Sequence, residues 1–185
     1  MEIINTALID CKILLPTIHN DSRGYFLETY NQIQLNKALN CDICFVQDNT
    51  SFSTKGVLRG LHFQKGIFAQ SKLIRVVSGS VLDVVVDLRE KSPTFLKHFS
   101  VELSETNQKQ LFVPRGFAHG FVVLSDNAHI SYKCDNFYNK DSEGGVLYND
   151  RDLGIDWKLE QDQIKVSDKD LELPSLSAIS IANLW

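Results

Sequence analysis

Lys72 to Leu88 reads KLIRVVSGSVLDVVVDL, two valine-rich runs separated by Ser78, Gly79 and Ser80. β-Branched side chains favour a pleated backbone and glycine permits a reversal, so the stretch predicts two strands joined as a hairpin. The second run holds Asp83 and Asp87 among valines, as expected of a strand buried on at least one face. Outward from it, short runs follow at HFSVEL (98–103), QLFVP (110–114), HGFVVL (119–124) and HISYKC (129–134), separated by polar or turn-rich segments. Strands at that spacing predict a mainly β protein, a sandwich or barrel with a few short helices. A helix is expected around Glu28 to Leu39. A polar turn or second helix is expected near Ser104 to Lys109, where Ser104, Glu105 and Asn107 offer capping groups. Tyr138 to Asp152 is polar and glycine-bearing, a loop of the kind that carries binding groups. For the end, SAISIANLW (177–185), docking, pairing with another chain and mobility all stay open.

The chain has 185 residues, and at roughly 150 residues per domain that predicts a single domain over 1–185. Hydrophobic content of 43% and charged content of 23% are those of a globular protein. Nineteen Lys and Arg against 23 Asp and Glu leave a net charge of −4. That balance argues against a nucleic-acid partner but is compatible with a local cationic pocket for a small anion. The start, MEIINTALID, has neither a basic leader nor a sustained apolar run. No stretch approaches the roughly 20 apolar residues of a membrane helix, so no membrane partner and a cytoplasmic location are expected. Cys11, Cys41, Cys44 and Cys134 are few for a disulfide scaffold and read as reduced thiols. Cys41 and Cys44 have the spacing of zinc and redox sites, but no second close Cys or His pair accompanies them.

The chemistry concentrates in two segments. LRGLHF (58–63) places one cation and one titratable ring in an apolar run, and histidine is the natural general base near neutral pH. FVPRGFAHGFVVL (112–124) adds Pro114, Gly116 and His119 at a spacing similar to the second box of cupins. Two histidines on neighbouring strands are potential metal ligands, but Phe63 is followed by Gln64 where metal-binding cupins place a second histidine. A metal-free barrel is therefore expected.

The successive blocks DSRGYFLETYN, FVQDNTSFS, GVLRGLHFQ, AQSKLIRVVSGSVLDVVVDLREKSPTF, QLFVPRGFAHGFVVLS, YKCDNFY, LYND and VSDKD resemble the dTDP-4-dehydrorhamnose 3,5-epimerase family. They do so in order and over roughly residues 5 to 174. The resemblance implies a cupin-like jelly-roll barrel, an isomerase needing no cofactor, and a homodimer. It implies as substrate a dTDP-linked 4-keto-6-deoxy sugar, inverted at carbons 3 and 5 on the way to L-rhamnose for surface polysaccharide. A proton beside a ketone is removable because the charge left behind delocalises onto oxygen as an enolate. Such an enzyme needs a base, an acid on the opposite face and a cation or donor at the oxygen. By resemblance His62 is the base, Tyr132 the acid, Asp170 the carboxylate that orients the imidazole, and Lys72 the cation at the enolate oxygen.

Recognition of the nucleotide is implied in the same way. Arg59 matches a diphosphate contact, suited by its planar guanidinium to paired hydrogen bonds with phosphate. Arg23 and Glu28 match contacts supplied by the neighbouring subunit, Gln47 and Asn49 groups near the base, and His119 a polar group beside the sugar. Glu143 and Lys169 match further ligand contacts, and Tyr138 an aromatic that stacks on thymine. The sequence departs from the family pattern at His19, Tyr148 and the Trp157–Lys158 pair. Three alternatives follow from the same residues: an epimerase acting at one carbon or on another base, a noncatalytic nucleotide-sugar-binding cupin, and a metal-dependent cupin oxygenase.

Overall fold

The structure, a computed structural model, describes residues 1–179; the last six residues of the SAISIANLW segment lie outside the described residues. Strands β1 (Glu2–Asn5), β2 (Lys12–Leu15), β3 (Ile18–Asp21) and β4 (Gly24–Leu27) precede helix α1 (Gln32–Leu39). Then come β5 (Gln47–Thr54), β6 (Leu58–Gln64), β7 (Lys72–Ser78), β8 (Ser80–Asp87) and β9 (His98–Ser104). The chain continues through β10 (Gln110–Val113), β11 (Phe117–Val123), β12 (Asn127–Cys134), β13 (Glu143–Gly145) and a one-turn helix α2 (Asp168–Leu171). One sheet has the order β1-β2-β10-β7-β12-β5, a second the order β13-β6-β11-β8-β9, and β3 and β4 form a separate hairpin. All ladders between these strands are antiparallel.

Both valine-rich runs are strands, but they do not form a hairpin. β7 lies between β10 and β12 in the first sheet, and β8 between β11 and β9 in the second. Only Gly79 links them, at φ +78°. This turns a corner from one sheet into the other, the usual way a strand changes layers. The composition of β8 explains its position. Val81 and Val85 face the core between the sheets, while Leu82, Val84 and Val86 face a second core outside. A strand apolar on both faces is stable only as an inner strand with cover on each side.

Three clusters fill the protein. Ile74, Val76, Leu111 and Ile130 of the first sheet meet Val85, Leu103, Phe121 and Val123 of the second. Outside the second sheet, Leu61, Phe63 and Val122 are covered by Val146, Tyr148, Leu153 and Trp157. Outside the first sheet, Leu14, Leu73 and Phe112 are covered by Leu35 of α1. Tyr148 and Trp157, two of the departures from the family pattern, belong to this packing, and the Trp157 indole N–H donates to the Tyr148 carbonyl at 2.9 Å.

Helix α1 starts later than the expected Glu28. Asn31 caps it by accepting from the Gln34 backbone N–H at 3.1 Å, and the Thr29 carbonyl accepts instead from the Gln110 side chain of β10. The Ser104–Lys109 segment is a turn and not a helix. The Ser104 hydroxyl and the Asn107 side chain each accept from the other's backbone N–H, which closes the turn locally. Within the Tyr138–Asp152 loop, Glu143–Gly145 is strand β13, extending the edge of β6.

β6 and β11 approach closely at Gly60 and Gly120. A Cβ on Gly60 would lie 2.5 Å from the Gly120 Cα and 2.8 Å from the His119 carbonyl oxygen, and Gly60 has φ +127°. Gly60→Ala is expected to destabilise the protein by about 3 kcal/mol or more, since overlap and backbone strain add. Chemical denaturation measures this; a change under about 1 kcal/mol refutes the account.

Candidate active site

Two adjoining cavities, about 140 and 340 Å³, open between the sheets and share His62, Lys72 and Tyr132 in their walls. Gln47, Asn49, Tyr138 and Glu143 line the first, and Arg59, His119, Lys169 and Asp170 the second. Of the residues expected from sequence, only Arg23 and Glu28 lie elsewhere. Arg23 is at the tip of the β3–β4 hairpin, paired with Asp21, and Glu28 follows β4 beside His19 and Phe26.

His62 stands on β6 opposite His119 of β11 in the ladder, so both rings enter the same space. The His62 Nε2–H donates to Asp170 Oδ1 at 2.8 Å, and the Gly60 backbone N–H donates to Asp170 Oδ2 at 3.2 Å. Asp170 comes from far along the chain because the segment before it runs beside β6. Leu58 N–H donates to the Lys165 carbonyl and Lys165 N–H to that of Gly56, after which Ser167 caps α2 and turns Asp170 inward. Burial lowers the His62 pKa from its ordinary value, and Asp170 pulls the other way. With Nε2 engaged by a carboxylate, Nδ1 is the ring's basic atom.

Tyr132 comes from β12, in the opposite sheet. Burial raises its phenol above the ordinary value, so the group keeps its proton. Lys72, at the start of β7, is half-buried, and burial among the barrel walls lowers its pKa; Cys134, Asp83 and Glu143 oppose the shift. The Glu143 carboxylate accepts from Lys169 at 2.8 Å and from the Tyr138 hydroxyl at 3.1 Å, which ties the cavity mouth together. Gln47 donates to Asn49 Oδ1 at 3.0 Å, and Arg59 Nε donates to Ser53 Oγ at 3.1 Å.

Sequence reasoning named Gln47 and Asn49 but missed Ser51 and Ser53, which share their inward face on edge strand β5. The one apolar residue of QDNTSFST, Phe52, points outward, so the stretch has no apolar alternation to mark it as a strand. Ser51 Oγ is buried without a hydrogen-bond partner among the described residues in the Arg59 cavity. Asp83 is buried on its inner strand, and its bond to His119 has no signal in the local sequence. All four cysteines are free. Among the described residues no group of three or more His, Cys, Asp and Glu side chains is placed to hold a metal ion, and no helix is long and apolar enough to cross a membrane.

The family model for dTDP-4-dehydrorhamnose 3,5-epimerase matches residues 5–178. The chain belongs to this family. The epimerase family's enzyme from Salmonella typhimurium is 48% identical over 176 residues, 95% of this chain and 96% of that one. The crystal structure of the family member from Elizabethkingia anophelis superposes with a TM-score of 0.93 at 54% identity, covering 96% of this chain and 97% of the other. A dTDP-6-deoxy-D-glucose-3,5-epimerase from Legionella pneumophila, solved in complex with dTDP-4-keto-L-rhamnose, gives 0.94 at 44% identity, covering 98% and 96%. The protein is thus an isomerase of the epimerase family on its cupin-like β fold.

Proposed function

We propose that the protein converts dTDP-4-dehydro-6-deoxy-D-glucose to dTDP-4-dehydro-L-rhamnose by inverting carbons 3 and 5, without a cofactor. One observation carries the mechanism: His62 and Tyr132 enter the same cavity from facing sheets, with Lys72 in its wall. His62 Nδ1 takes the proton beside the ketone, and the imidazolium that forms is stabilised by Asp170. The Lys72 ammonium meets the charge developing on the keto oxygen, a role of the kind usually worth about 3–4 kcal/mol. Tyr132 returns a proton from the other face, which inverts the carbon. Arg59, joined by the unpartnered hydroxyl of Ser51, holds the diphosphate, while Gln47, Asn49 and Tyr138 hold the base. His119 contacts the sugar, and Glu143 with Lys169 closes the mouth.

Incubation with the 4-keto substrate in deuterated water, followed by NMR of the ring hydrogens, tests this. Deuterium at both carbons supports the reading, at one carbon selects a mono-epimerase, and at neither, with any 4-keto nucleotide sugar, refutes catalysis. Tyr132→Phe is expected to keep exchange within about tenfold of wild type while slowing formation of inverted product by about a hundredfold. Equal loss of both would remove Tyr132 from the acid role.

A homodimer completes the site in this reading. Arg23 at the hairpin tip and Glu28 just after β4 lie away from the cavity of their own chain, near exposed Tyr25 and Phe26. Two more exposed apolar side chains, Phe52 and Val77, lie on the first sheet. Sedimentation is expected to give twice the 21.0 kDa chain mass, and Arg23→Ala to weaken TDP binding about tenfold or more. A fully active monomer overturns the arrangement.

A further inference from the structure

Gln64 ends β6 two residues after His62, so its side chain leaves the strand on the same face as the imidazole and enters the wall of the first cavity. It is 7% exposed, and its amide is spent on backbone. Nε2 donates one N–H to the Phe68 carbonyl at 2.8 Å and the other to the Phe137 carbonyl at 3.1 Å, while Oε1 accepts from the Asn139 N–H at 2.6 Å. A primary amide has two N–H donors, so neither is left for a ligand although the residue lines the cavity. Where metal-binding cupins place a second histidine, this chain carries a side chain turned to its own loop.

Two of those partners flank Tyr138. The Tyr138 N–H donates to Gln47 Oε1 at 3.1 Å, so the peptide groups on either side of this residue are held at three points by two glutamines of the cavity wall. At the far end of the ring the hydroxyl donates to Glu143 at 3.1 Å, and Glu143 stands opposite Gln64 in the β13–β6 ladder. The ring is thus tied at both ends while being 55% exposed. With that much of its surface open, packing does little to hold it, and the polar ties set its position. The Gly66–Phe68 turn is laced to the same loop: Asn136 Nδ2 donates to the Ile67 carbonyl and Gln70 Nε2 to the Asn136 carbonyl, both at 2.8 Å.

We propose that Gln64 is a positioning residue for nucleotide binding: by holding the peptide groups on both sides of Tyr138, it fixes that ring at the cavity mouth in place to stack on a nucleoside base. This rests on the reading of the cavity as a nucleotide-sugar site. The physical gain is preorganisation, since a loop already ordered before the ligand arrives spares the binding step the cost of freezing it. A single strand, β6, then spaces the two ends of the ligand, with His62 at the sugar and Tyr138, through Gln64, at the base. Loss of the amide leaves the Phe68 and Phe137 carbonyls and the Asn139 N–H without that partner, and the segment around Tyr138 loosens.

Gln64→Leu tests this, because leucine keeps most of the bulk and removes all three bonds. TDP affinity, measured by calorimetry, is expected to fall about tenfold, with the loss in turnover falling on KM more than on kcat. Tyr138→Ala is expected to cost a similar factor, and the double variant to lie within about threefold of the weaker single one, because Gln64 acts through Tyr138. Losses that multiply, to about a hundredfold, mean that the two residues act independently and overturn the proposal. The wild-type protein supplies a second measurement that needs no variant to fold. Free of nucleotide, its Asn139 amide hydrogen is expected to exchange with solvent about a hundredfold or more slower than in an unstructured peptide; exchange at the unprotected rate overturns the proposal. If wild type binds neither TDP nor thymidine, the nucleotide reading of the cavity falls. Amide exchange at Asn139, compared between nucleotide-free wild type and Gln64→Leu, then still decides whether Gln64 fixes the Tyr138 segment.

Discussion

His62→Ala is expected to lower epimerisation by about 10³-fold or more and to abolish deuterium uptake at both carbons, because the base for both abstractions is gone. TDP affinity is expected to stay within about threefold of wild type, since Arg59, Gln47, Asn49 and Tyr138, the residues proposed to hold the nucleotide end, line the cavities and are untouched. The substitution also leaves Asp170, 4% exposed, with the Gly60 backbone N–H and no imidazole. A buried carboxylate deprived of a partner costs about 1–3 kcal/mol, so the denaturation midpoint falls as well. The ratio of exchange rate to TDP affinity separates the two effects. If exchange survives within about tenfold while binding is intact, His62 is not the base.

Asp170→Asn should lower kcat by a comparable amount, by a different route. The two oxygens of Asp170 accept from different donors, His62 Nε2 and the Gly60 backbone N–H. An asparagine has one acceptor and one donor. The Gly60 N–H cannot change character, so it takes the amide oxygen and turns the amide NH₂ toward Nε2. The imidazole then accepts at Nε2 and holds its proton on Nδ1, where the base is needed. A loss of about 10³-fold is expected. The pH dependence supplies the sign. In wild type, burial lowers the His62 pKa and Asp170 raises it, so its deletion lowers it further. His62 is a base only when neutral, which holds above its pKa. The acid limb of the kcat/KM profile therefore moves to lower pH even as the plateau falls. An acid limb that moves up, or a variant with more than about a tenth of wild-type activity, contradicts the geometry.

How much of this was legible in the amino-acid chain follows from the range of each signal. The pleat repeats every two residues, so strands such as HFSVEL, HGFVVL and HISYKC were readable from their own composition. Apolar alternation disappears where the inward face lines a cavity, and for that reason β5, QDNTSFST, was not read as a strand. The helix boundary at Asn31 was missed because Thr29 is held by Gln110, 81 residues away in sequence. The ordered motif blocks carried the family and named nearly all of the candidate residues that the fold brings to the two cavities, since each stands within a short stretch of recognisable residues.

Sequence alone determined the strand-rich class and the reading of the cysteines as reduced thiols, because composition fixes these locally, and the resemblance of its ordered blocks to the family supplied the candidate proton-transfer groups. Tertiary structure decided which strands pair. KLIRVVS and SVLDVVVD, adjacent in the chain, separate into different sheets, since the second needs apolar cover on both of its faces and a single glycine turns the corner between them. It also decided which carboxylate meets which imidazole: Asp170 reaches His62 across 108 residues and Asp83 reaches His119 across 36. Such pairings are set by the burial of the whole sandwich, a sum over distant contacts that no local window of sequence contains.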